Sequence, residues 1–180
     1  MLQLARLEPD QRATVKEPVA LDTLVRQEVA TFSAQADQRE TDLGLLCAEP
    51  LVVSGDRLAL RAMLDNLIDN ALRYTPKGAR VDVSLCRDGT DAVLTVCDNG
   101  PGVAAADRSK ALRRFVRLND TDVTGSGLGL AIVCETVRMH SGSLKLEETP
   151  GGGLTVCIRL PLETPGNQTT PADSPSSGKS

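Results

Sequence analysis

In the stretch DNLIDNALRYTP, Asn66, Asn70 and Arg73 stand at i, i+4 and i+7. On a helix this spacing puts all three on one face, within about two turns. Two amide oxygens on adjacent turns suit a hard cation such as Mg²⁺, which prefers oxygen ligands. An arginine one turn further can grip a phosphate bidentately. Alone, the pattern also fits an ordinary solvated helix face. A second segment, Asp98-Asn99-Gly100-Pro101-Gly102, follows an apolar run. An ionised aspartate only accepts hydrogen bonds, so at a pocket floor it favours the exocyclic amine of adenine and rejects the carbonyl of guanine. The glycines after it allow close approach of a ligand to the backbone. Alone, DNGPG is also a turn.

A third segment, Gly125-Ser126-Gly127-Leu128-Gly129-Leu130, opens a helical run. Glycine-rich backbone at a helix N-terminus presents free N–H groups and a positive dipole end, which suit phosphate. It is neither the Walker pattern nor a dinucleotide fingerprint, because no Lys-Ser/Thr follows and no strand immediately precedes it. A fourth, Arg114-Phe115-Val116-Arg117-Leu118, offers one apolar anchor inside a polar segment, as a lid would.

The elements that must position these groups are legible from periodicity. Asp22 is expected to cap a helix over 23–38, with Val25, Val29, Phe32 and Ala36 on one face. Leu43–Cys47 and Leu51–Val53 read as a small strand pair broken by Pro50. Gly55-Asp56 opens the strongest helix, running to Tyr74. Its stripe of Leu60, Met63, Leu64, Leu67, Ile68, Ala71 and Leu72 must be buried. Two alternating strands follow, around 81–86 and 92–97, turning at Asp88-Gly89. A polar segment over 103–126 reads as largely mobile. A helix over 127–140 is expected to end with Gly142 as C-cap. A hairpin turning at 150–153 closes the fold, with Leu154, Val156, Ile158 and Leu160 alternating on its second strand. These elements imply a two-layer α/β sandwich: a mixed, mostly antiparallel sheet covered on one face by three helices.

Composition narrows the function. The chain has 180 residues, 20 Lys+Arg and 24 Asp+Glu, so net charge is −4, and aromatics are only 2%. Mild acidity and scarce aromatics argue against nucleic acid as partner. No apolar run could span a bilayer, and MLQLARLEPD lacks the apolar core of a signal peptide. The five cysteines, with no CxxC pair, read as buried small hydrophobes in a reducing cytosol. Zinc is not expected, because the single histidine, His140, lies near no cysteine pair in sequence.

In order and spacing together, the four segments resemble the N, G1, F and G2 boxes of sensor histidine kinases, within the Bergerat-fold ATP-binding proteins. The resemblance covers about 19–161. It implies that Asn70, with Asn66, ligates Mg²⁺, that Arg73 contacts phosphate and that Tyr74 lies beside adenine. It further implies that Asp98 binds the adenine amine, with Gly100 and Gly102 shaping that wall. Gly125, Ser126, Gly127, Leu128, Gly129 and Leu130 would form the phosphate side, and 103–124 an ATP lid. That lid departs from the usual aromatic-rich F box, since only Phe115 anchors it among Arg113, Arg114 and Arg117.

The resemblance also selects a branch. ATPase members carry a glutamate base at the position of Asn66, and so do the anti-sigma-factor kinases. A neutral amide cannot take the proton, and a positioned base typically contributes 10²–10⁴-fold. The expected function is therefore donation of the ATP γ-phosphoryl to a histidine on a separate helical dimerisation/phosphoacceptor domain, upstream of a response regulator. A nucleotide-binding switch without transfer and a Bergerat ATPase are the alternatives. Residues 1–16 read as the end of a truncated helical hairpin and linker, 17–161 as the catalytic domain and 162–180 as a disordered tail. The fragment is expected to be cytoplasmic and monomeric, its parent kinase anchored in a bacterial inner membrane. His140 is expected to pack at a helix end and not to accept phosphate.

Overall fold

In the computed structural model, residues 16–111 and 129–163 are described, with side chains at 109–111 excepted. The expectations for Gly125, Ser126, Gly127, Leu128 and the lid anchor Phe115, and most of those for the two chain ends, lie outside these residues.

The helix bearing Asn66 and Asn70 is α2 (Arg57–Tyr74). It starts where expected because the Asp56 carboxylate accepts from the N–H groups of Leu58 (2.8 Å) and Ala59 (3.1 Å), an N-cap. All seven apolar residues of the stripe are buried. They meet a five-stranded sheet of order β2-β4-β5-β7-β6, built from β2 (Asp42–Ala48), β4 (Arg80–Asp88), β5 (Asp91–Asp98), β6 (Ser143–Glu148) and β7 (Leu154–Pro161). Only β2–β4 is parallel; the other pairs are antiparallel. The helices α1 (Leu21–Gln38), α2 and α4 (Gly129–Met139) pack on one face: α1 on β2 and β4, α2 on β5, α4 on β6 and β7. This is the expected sandwich. Val81, Val83 and Leu85 of β4 and Leu94 and Val96 of β5 are buried beneath the helices.

Several expectations need correction. The two runs around Pro50 do not pair with each other. β2 is taken up by β4, while β3 (Val52–Gly55) pairs antiparallel with β1 (Glu17–Ala20) in a separate two-stranded sheet. Proline has no N–H to continue the ladder, so the chain leaves one sheet for the other there. Asp22 is not the cap of α1. Ala20 holds that position, and the Leu51 carbonyl takes the Leu21 N–H at 2.9 Å, so Asp22 falls in the first turn. At the end of α4, Ser141 (φ 56) and not Gly142 adopts the left-handed conformation. Gly142 sits one residue later and donates its N–H to Val137 O at 2.9 Å. It must be glycine for another reason: a Cβ there would stand 2.4 Å from the Arg159 carbonyl oxygen. The polar segment after Gly102 starts with a short helix, α3 (Ala105–Ala111). Leu162 bridges Val53, and the Glu163 N–H donates to Val52 O, so contact with the domain continues past 161.

None of the five cysteines is buried; all are half-exposed free thiols. Alternation puts Cys86, Cys97 and Cys157 opposite the helices, between the buried positions of their strands.

Between α1 and α2 lies a buried charge cluster. The Glu28 side chain is only 3% exposed and meets Arg61 Nε at 2.9 Å. Its Oε2 finds no donor. Burial, then the neighbouring Asp65 carboxylate, push Glu28 from its ordinary 4.5 up to about 7, against the pull of Arg61 and Arg57. Two carboxylates facing each other share a bond only when one holds a proton. Since Glu28 titrates higher folded than unfolded, its contribution to stability is complete below about pH 4.5 and is lost as pH rises through about 7. Chemical denaturation should therefore find the domain less stable at pH 8 than at pH 5.5. Glu28→Gln should remove most of this cluster's share, roughly 2 kcal/mol. An unchanged pH slope in the variant would discount the cluster.

Candidate nucleotide-binding site

Asp98 closes β5, opposite Val81 at the start of β4. It is 9% exposed. Its Oδ1 accepts from the N–H groups of Gly100 (2.9 Å) and Leu154 (3.2 Å). Both bonds use the same oxygen, so Oδ2 is the atom left to a ligand donor. Burial pushes the carboxyl above its ordinary range, and the two N–H donors pull it back. The backbone around it is tight. Gly153 has φ 113, and a Cβ there would lie 1.9 Å from the Asp98 carbonyl oxygen. Gly102 has φ 70, and its Cβ would lie 2.6 Å from Gly153 O. DNGPG is thus packed backbone to backbone on the β6–β7 turn.

The other wall is the end of α2. A Cβ at Gly100 would lie 3.1 Å from Thr75 Cγ2 and 3.2 Å from Tyr74 O. The Tyr74 ring side chain is itself half-exposed. One turn earlier, about 6 Å along the axis, stands Asn70. The Asn66 amide is oriented by its own donor, Nδ2 to Ala62 O at 2.7 Å, which leaves Oδ1 to point away. Gly129 at the start of α4 lies against both amides. A Cβ there would be 2.8 Å from Asn70 Nδ2, 3.1 Å from Asn66 Oδ1 and 3.2 Å from Asn70 Oδ1. The structure therefore brings Asn66, Asn70 and Gly129 to one point, and Asp98, Gly100 and Gly102 to another, along a single edge of α2. Leu130 follows Gly129, half-buried, in the first turn of α4.

Arg73 is placed less simply. It is ion-paired with Asp69, one turn back on the same helix, and Gln35 Nε2 also reaches Asp69 at 3.2 Å. The guanidinium is thus shared with a carboxylate that α1 also contacts, whereas the two amides lie against α4. Sequence reasoning passed over Asp69, although its i,i+4 spacing to Arg73 was visible. It also passed over Gly153 and Leu154, which brace Asp98. The run Gly151-Gly152-Gly153 is the signal in the sequence, and in the structure all three have positive φ.

His140 is structural, as expected. It is buried, Nδ1 donates to Thr136 O at 2.7 Å and Nε2 accepts the Asp56 N–H at 3.0 Å. Both ring nitrogens are occupied in tying the end of α4 to the cap of α2. Gly55 leaves room for the ring, since a Cβ there would lie 2.3 Å from Nε2.

A carboxylate on a strand end, paired amides on the facing helix and a second helix N-terminus beside them define a Bergerat-type nucleotide-binding domain. The chain matches the family described as histidine kinase-, DNA gyrase B-, and HSP90-like ATPase over residues 55–164, and it belongs to that family. Within it, the similarity is to sensor histidine kinases. The chain is 41% identical to the sensor protein kinase PmrB of Pseudomonas aeruginosa, covering 100% of this chain and 38% of that protein. The solved mycobacterial sensor histidine kinase MprB matches with TM-score 0.72 at 31% identity, over 82% of this chain and 98% of that one. Full-length ShkA in complex with AMPPNP matches with TM-score 0.72 at 29% identity, over 83% of this chain and 31% of that one. The chain spans well under half the length of PmrB. It is a histidine-kinase-type catalytic, ATP-binding domain.

Proposed function

We propose that the chain binds Mg·ATP and donates the γ-phosphoryl group to a histidine on a separate helical dimerisation/phosphoacceptor domain, feeding a response regulator. The observation that carries this reading is the convergence of Asn66, Asn70 and Gly129 at one end of the α2 edge, with the available Asp98 oxygen at the other. That arrangement matches a purine base joined to a charged tail. The AMPPNP complex of the similar ShkA supports a nucleotide here.

The donor set fits a magnesium ion. Asn66 and Asn70 stand on adjacent turns against Gly129, and each side-chain amide offers a hard oxygen donor. An ion held by those oxygens would neutralise charge on the phosphates. The chain's own residues do the rest. Asp98 fixes the base, Gly129 and the start of α4 direct backbone N–H groups at phosphate oxygens, and Arg73 exchanges part of its Asp69 pair for phosphate. Catalysis is then positioning and charge stabilisation. Asn66, as an amide, supplies no base for water, which favours transfer over hydrolysis. Any general base comes from the receiving domain. No helix among the described residues is long and apolar enough to cross a membrane. We place the domain on the cytoplasmic side of a bacterial inner membrane, monomeric by itself.

The test mixes the chain with its kinase's separately produced phosphoacceptor domain and γ-labelled ATP. Acid-labile, base-stable phosphate should appear on that domain, and Asn70→Ala should slow its appearance at least about 100-fold. Binding without transfer would favour the switch reading. Steady turnover by the chain alone would favour an ATPase.

A further inference from the structure

A second cluster of chemistry-bearing side chains lies on the open face of the sheet, at the far end of β4 from Asp98. β2 runs parallel to β4, and their register steps from Leu45↔Val83 to Cys47↔Ser84, leaving Leu46 bulged and 62% exposed. Leu43 and Leu45 pack on the core, so unbroken alternation would aim Cys47 at the helices too. The bulge shifts the phase by one residue and turns Cys47 to the open face. The ladder then continues, Glu49 N–H donating to Leu85 O at 3.0 Å, which sets Glu49 beside Cys86 on that face. Cys47 Sγ, Cys86 Sγ and a carboxylate oxygen of Glu49 all lie within 4.8 Å of one another.

We propose that Cys47, Glu49 and Cys86 form a binding site for a thiophilic divalent cation of the zinc type. Two thiolates and a carboxylate are a tetrahedral donor set with one position open to water. Soft sulfur selects against Mg²⁺, so the ion held here differs from the one proposed at Asn66 and Asn70. Cys47 and Cys86 are diagonal neighbours, because Cys47 faces Ser84 directly. Both are free thiols, and zinc–sulfur bonds of about 2.3 Å hold two sulfurs nearly 4 Å apart, which fits ligand atoms that all lie within 4.8 Å of one another. On binding, each thiol gives its proton to solvent as its metal–sulfur bond forms, so two protons leave per ion. The site lies about 16 Å along β4 from the residue facing Asp98, and on the other side of the sheet. It would clip the edge strand β2 to its neighbour without touching the nucleotide.

The experiment titrates the reduced 180-residue chain with Co²⁺ and then Zn²⁺. One Co²⁺ per chain should give a thiolate-to-metal charge-transfer band that Zn²⁺ abolishes, and Zn²⁺ should raise Tm. Cys47→Ser and Cys86→Ser should lose the band, Glu49→Gln should weaken binding about tenfold or more, and Cys157→Ser, on the same face, should keep it. Far-ultraviolet circular dichroism verifies that each variant is folded. The proposal is overturned by no band in the parent chain or by a band that survives Cys47→Ser or Cys86→Ser. Oxidation that joins Cys47 to Cys86 in a chain that takes up no metal overturns it as well.

Discussion

Asp98→Asn should weaken ATP binding by about 3 kcal/mol, roughly 150-fold. The reason lies in which oxygen is already used. Oδ1 accepts two backbone N–H groups, from Gly100 and Leu154. An asparagine must keep its oxygen there, or two buried N–H groups lose their acceptor. Its NH₂ then takes the place of Oδ2 and points a donor at the adenine amine, itself a donor. The variant therefore loses a charge-assisted bond and gains a repulsion. The same NH₂ can donate to the guanine carbonyl, so the preference for ATP over GTP should shrink or invert. Calorimetry with both nucleotides reads this directly. Affinity for ATP within threefold of the parent chain would remove Asp98 from the role of base reader.

Gly153→Ala should be the most damaging single-methyl change in the site. Its φ of 113 is one that L side chains rarely adopt, and the added Cβ would lie 1.9 Å from the Asp98 carbonyl oxygen and 2.8 Å from Asn99 Cα. Both obstacles are backbone, so no rotamer change relieves them. A loss of about 4 kcal/mol or more is expected, with nucleotide binding lost alongside because the displaced wall carries Asp98. Gly152→Ala supplies the control. Its φ of 106 is as unusual, but nothing lies within 4 Å of its Cβ position. It should incur only the backbone strain, about 1–3 kcal/mol. Equal melting temperatures for the two variants would show that the Gly153 contact with Asp98 is unimportant.

What could be read from the sequence was what depends on local spacing. The stripe on α2, the Asp56 cap, the turn at Asp88-Gly89 and the alternation of β4, β5 and β7 are all set by residues within a few positions of one another. So is the placing of Asn66 and Asn70 on one helix face. What could not be read depends on contacts between distant segments. Nothing near Pro50 states that β2 will lie parallel to a strand nearly forty residues on. The Leu51 carbonyl that takes the first N–H of α1 comes from the loop before β3. Gly142 and Gly153 look like turn glycines, but their size is demanded by Arg159 and Asp98 across the sheet. Cys47 and Cys86 are unremarkable in sequence and become neighbours only through a bulge.

The short strand β3 gives the domain an unusual perimeter. Val53 pairs with Val19 on one side and is bridged by Leu162 on the other. The first strand and the residue that follows the last strand therefore flank β3 at Val53, about 10 Å apart, two strand spacings. A joiner of a few glycines and serines would close the domain into a ring. New ends opened at the exposed Asp88–Asp91 turn should then leave a circularly permuted protein with the same core. Fusion of the domain between two other modules would, by the same geometry, bring those modules side by side.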